Sequence, residues 1–110
     1  MTGVPSPAEQ RRRVALMKQA LAAARLARDD AWRAVAETER RLGAAREELA
    51  TIERRRELAR AIGDEETVAV AERFAAPQRE TIALLERKAA VQRDEVALAD
   101  AIITFPVNPR

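Results

Sequence analysis

Cysteine, histidine and tyrosine are all missing from this sequence of 110 residues, and much of the usual repertoire of catalytic chemistry is missing with them. Without cysteine there is no disulfide framework, thiol nucleophile or thiolate metal site. Without histidine, Ser-His and Cys-His pairs are excluded, as are the Glu-x-x-His pairs that line di-metal carboxylate bundles. The one serine, Ser6, precedes a proline and reads as a helix cap rather than a nucleophile. Glycine is equally scarce: Gly3, Gly43 and Gly63 stand too far apart to form a phosphate-binding loop. Carboxylates do occur in pairs, at Asp29-Asp30, Glu47-Glu48, Glu65-Glu66 and Asp94-Glu95. Neighbours on a helix diverge by about 100°, so these pairs read as solvated faces rather than acid-base or metal sites. The chain is therefore expected not to be an enzyme, and to use no cofactor, metal or small-molecule ligand. No run is long and apolar enough to cross a bilayer, and the opening residues, with Glu9 and no hydrophobic stretch before Arg11, do not resemble a secretory signal. The expectation is a cytoplasmic protein without a membrane partner.

What remains is a vocabulary of helix formers. Charged residues make up 35% of the chain and apolar ones 47%, with alanine prominent among them. Ala, Leu, Arg and Glu at helical spacing are the composition of coiled coils. Alanine gives helix propensity and close approach but little buried area, so two such helices alone have a thin core. Charge is unevenly divided. Residues 1–63 hold 14 basic and 9 acidic side chains, and residues 64–110 hold 6 and 9, which favours folding one half against the other.

The fold-back point is Ile62-Gly63-Asp64-Glu65-Glu66. Gly63 can adopt the left-handed conformation that closes a helix, and Asp64 can cap the next one. The reading is a single all-α domain over residues 1–110, a long antiparallel helical hairpin of coiled-coil type. It comprises a leader at 1–5, a first helix at 6–62, a turn at 63–64, a second helix at 65–103 and an extended tail at 104–110. Ser6, Pro7 and Glu9 form the start signal of the first helix. Pro77 is expected to kink the second helix without ending it, because the apolar spacing keeps phase across it. Pro106 and Pro109 are expected to keep the tail out of helix.

The first helix carries a seam in alternating steps of three and four: Val14, Met17, Leu21, Ala24, Arg28, Ala31, Val35, Thr38, Leu42, Ala45, Leu49, Ile52, Arg56 and Ala59. Arg28, Thr38 and Arg56 break its apolar rule, and are expected to set register, lay their stems over the seam or meet acidic residues of the second helix. The second helix carries two seams. One reads Val68, Ala71, Ala75, Gln78, Ile82, Leu85, Ala89, Gln92, Val96, Ala99, Ile103; the other reads Val70, Phe74, Thr81, Leu84, Val91, Leu98, Ile102. Together they span a face of roughly 160°, wider than one partner requires. With Gly63 as pivot, residue i faces residue 127 minus i, so residues 8–23 overhang without an internal partner.

The surplus apolar surface leads to the functional expectation. The chain reads as a structural or adaptor protein that assembles with copies of itself, or with other helical subunits, completing a four-helix bundle or a larger helical assembly. The candidate contact residues are Leu16, Met17, Leu21, Trp32, Val70, Phe74, Leu84, Val91, Leu98, Ile102 and Phe105. Trp32 has two readings, a filler of the groove between the helices or an anchor for a second molecule. Phe105, beside Pro106, reads as a docking residue, on its own chain or another. An alternative is a basic rod that binds nucleic acid through Arg11, Arg12, Arg13, Arg40, Arg41, Arg54, Arg55 and Arg56. Interleaved acidic residues and an acidic second helix weigh against it. The acidic tip at Asp64, Glu65 and Glu66 has an ordinary helix-starting role beside a recognition role. A further alternative is an assembly or secretion chaperone, since the outline is similar to secretion-system stalks and prefoldin-type arms in shape alone.

Overall fold

A computed structural model describes residues 3–107, with side chains as far as Thr104. The chain is an antiparallel hairpin of two helices, α1 (Pro7–Ala61) and α2 (Glu65–Val107). At the start of α1, the Ser6 hydroxyl accepts a hydrogen bond from the Glu9 amide at 3.2 Å, the capping bond expected of that residue.

The turn uses the predicted residues. Gly63 has φ of 74°, the left-handed region that other residues enter only with strain. The Asp64 amide donates to the Ala59 carbonyl at 2.9 Å and the Gly63 amide to the Arg60 carbonyl at 3.1 Å. Those two bonds make a Schellman closure, which satisfies carbonyls the end of α1 would otherwise leave open. Asp64 then caps α2: its carboxylate accepts from the Thr67 amide at 3.1 Å and from the Thr67 hydroxyl at 2.6 Å. Both bonds favour the charged carboxylate and hold the Asp64 pKa below its ordinary value, the hydroxyl contributing most.

Two compact units divide the chain. The turn unit is Ala34–Arg93, and the open-end unit joins Met1–Arg33 with Asp94–Arg110. In the turn unit, α1 buries Val35, Thr38, Leu42, Ala45 and Ala59, and α2 answers with Ala71, Ala75 and Ala89. Ala75 and Ala89 have no exposed surface at all, which marks them as points of close helix approach. Gln78 sits in the same seam and its amide donates to the Ala45 carbonyl at 3.1 Å and to Glu48 at 3.3 Å. Gln92 lies two heptads further on, and its buried Oε1 has no hydrogen-bond partner among the described residues. In the open-end unit, Val96 and Ile103 are buried, while Leu21, Ala24, Arg28 and Ala31 are half-buried.

Two expectations about α2 have different outcomes. The helix runs through Pro77 without interruption, as the phase of its seam predicts. The lost amide costs one bond, to the Arg73 carbonyl, and both residues are exposed, so water can serve that carbonyl. The extended tail is corrected over residues 104–107: the helix continues to Val107 instead of ending at 103. Proline's fixed φ is itself helical, and the amide absent at Pro106 removes only one bond near the helix end. In that last stretch the Thr104 hydroxyl donates to the Asp100 carbonyl at 2.8 Å. Residues 108–110 of the predicted tail, and residues 1–2 of the leader, lie outside the described residues.

Candidate protein-interaction surface

The surface of the turn unit follows from how α2 distributes its apolar side chains. One seam, from Val68 to Gln92, turns toward α1, and every member is buried or half-buried. The other seam stays open: Val70 is 39% exposed, Val91 58%, Leu84 60% and Phe74 64%. Thr81 between them is exposed as well. A single partner helix can cover only one narrow stripe, so the second row of a wide apolar face is left to solvent.

Charges border both rows, with opposite fates. On the side toward α1, the heptad series Glu72, Arg79, Glu86 and Arg93 is fully engaged. Arg56 donates to Glu72, Arg79 pairs with Glu53 at 3.3 Å, Arg46 with Glu86 at 2.7 Å, and Arg93 with Glu39 at 3.0 Å. As the α2 number rises the α1 number falls, which is the antiparallel register written in ion pairs. On the open side, the series Arg73, Glu80 and Arg87 repeats the same alternation of sign at the same spacing. All three are exposed, and none makes an ion pair among the described residues.

Other predicted contact residues fall in the open-end unit. Leu98 and Ile102 are exposed, at 64% and 57%. Ile102 joins Val14, Met17, Lys18, Leu21 and Ala24 around a shallow apolar groove of about 510 Å³. Met17 is 70% exposed and Leu16 57%, whereas Leu21 is half-buried and belongs to the seam. Residues 8–20 are exposed throughout, in keeping with an overhang, although Leu21 is already partly covered. Trp32 does not fill the groove between the helices: it is 52% exposed. The side chain of Phe105 lies outside the described residues. Leu26 and Leu58 are exposed as well, and they stand off the heptad positions, where apolar spacing gives no signal.

The basic clusters are partly occupied. Arg40 and Arg41 both bind Glu37, at 2.6 and 3.1 Å, and this holds the Glu37 carboxyl below its ordinary pKa, the Arg40 hydrogen bond contributing most. Arg56 is drawn over the seam, its side chain 18% exposed, between Glu57 and Glu72. Arg54 donates to the Thr51 hydroxyl at 3.2 Å. Arg11, Arg12, Arg13 and Arg55 are exposed. Within each cluster, neighbouring arginines on a helix point about 100° apart, so they fan round it rather than converge.

Among the described residues no three carboxylates gather as metal ligands would, and no helix is long and apolar enough to cross a membrane. Comparison with known proteins adds no precedent: no family model, curated protein or solved structure matches the chain.

Proposed function

We propose that this protein is a non-enzymatic structural or adaptor element that assembles with other helical protein through the open face of α2. The observation that carries this reading is the row Val70, Phe74, Leu84 and Val91, which stays exposed although the opposite side of the same helix is packed. Because each is already partly covered, burying the rest contributes about half of the roughly 1.5–3 kcal/mol of a full burial, and the row together outweighs what a few exposed ion pairs return. The mechanism is burial of the stripe in a helical bundle, with flanking charges choosing register and orientation.

The test compares the native chain with the double variant Phe74→Glu, Leu84→Glu by analytical ultracentrifugation and circular dichroism. Assembly through this face predicts that the native chain associates and the variant does not, with helix content unchanged, since both side chains are exposed in the hairpin. A native chain that stays monomeric and binds no helical partner through this row would remove the reading.

A further inference from the structure

Building on that assembly reading, we infer that the occupant of the open face in the turn unit is a second copy of this chain, its α2 laid antiparallel against the first about a two-fold axis near Leu84. The argument rests on charge rather than on apolar area, because an apolar stripe alone accepts many partners. Arg73, Glu80 and Arg87 border the stripe at intervals of one heptad, exposed and without ion pairs among the described residues. An antiparallel copy centred near Leu84 sets Glu80 opposite Arg87 of the second copy, and the two-fold axis repeats the pair with the roles exchanged. In the same register Phe74 approaches Val91 of the second copy, and the two copies of Leu84 meet near the axis.

Neighbouring arrangements fail on the same row. A slip of one heptad in one direction brings Glu80 against its own equivalent and Arg73 against Arg87; a slip in the other direction brings Arg87 against Arg87. A parallel two-fold pair carries the two copies of this row to opposite flanks of the stripe, where neither finds a charge of the other to meet. The fold already uses this device once, since the Glu72, Arg79, Glu86 and Arg93 series meets opposite charges on α1. Like charges opposed at an interface are strongly penalised, so the row selects one register as well as tolerating it.

The experiment measures the association of purified full-length chains by sedimentation equilibrium. Glu80→Arg alone and Arg87→Glu alone are each expected to weaken self-association by roughly ten-fold or more, because each places like charges opposite one another twice per dimer. The double variant Glu80→Arg, Arg87→Glu is expected to regain native affinity, and an equimolar mixture of the two single variants to form a mixed dimer. Circular dichroism checks that every variant keeps the hairpin. If the native chain associates, loses association on Phe74→Glu with Leu84→Glu, yet ignores the charge swap, the register proposed here is wrong and the assembly reading survives. If the native chain is folded and monomeric at millimolar concentration, self-pairing is overturned. In that case the assembly reading stands only if the Phe74 and Leu84 variant loses a purified helical partner, and both fall if it does not.

Discussion

Gly63 and Asp64 show how much a single position can decide. A Cβ built on Gly63 would meet no atom within 4 Å, so space is not what requires glycine there. The requirement is the φ of 74°, which places any other side chain against its own backbone. Gly63→Ala is therefore expected to destabilise the hairpin by about 1–2 kcal/mol, read as a lower midpoint in urea with an unchanged helical spectrum before melting. Acid should act on Asp64 and on two carboxylates further along the helices. Asp64, Glu72 and Glu37 have pKa values below the ordinary 3.8 and 4.5, through Thr67, Arg56 and Arg40 respectively. A carboxylate with a depressed pKa adds stability that is complete above its ordinary value and is lost as pH falls through the folded value. The thermal midpoint is thus expected to be level near neutrality and to drop as pH falls below about 4.5, and Asp64→Asn with Glu72→Gln should flatten that drop.

The helices were legible as elements because alternating three and four spacing fixes one face of a helix. From Leu21 to Ala59 every residue of the α1 seam is buried or half-buried, and so is every residue of the inner α2 seam from Val68 to Ile103. Polar members obey the same geometry: Thr38 is buried at 3% exposure, and Arg56 is held over the seam by Glu72. Arg28 instead meets Asp29, its own neighbour, at 3.5 Å. Helix ends were harder to read, since proline's compatibility with helical φ competes with its missing amide, and at residues 104–107 the first effect wins. Ala75 and Ala89 show what alanine does in such a seam. With no exposed surface at either, Ala75→Leu should overpack the helix contact and cost about 1–3 kcal/mol, measured as a fall in thermal midpoint.

For the molecule as a whole, the pattern located the surplus apolar surface and named the outer α2 stripe as its contact face, although apolar spacing alone does not explain why the other stripe faces α1. Both have the same period, but the inner stripe holds Ala71, Ala75 and Ala89, which allow close approach, whereas Pro77 and Lys88 interrupt the outer one. The inner row has Arg56, Glu53, Arg46 and Glu39 to meet it, and the outer row has no such counterpart on α1. Trp32 was ambiguous for a related reason: a position beside the seam can turn inward or outward, and this one is more than half exposed.

The alternating signs along the inner row also constrain how this hairpin could change in length. Removing seven residues from one arm would leave the apolar steps in phase, yet it would bring Glu39 beside Glu86 and Arg46 beside Arg79. Removing fourteen from the turn end of α2 instead would set unlike charges together again, Arg56 beside Glu86 and Glu53 beside Arg93. The greasy stripe counts in single heptads and the charges of α2 count in pairs of them, so shortening that arm by one heptad opposes like charges where shortening it by two opposes unlike ones.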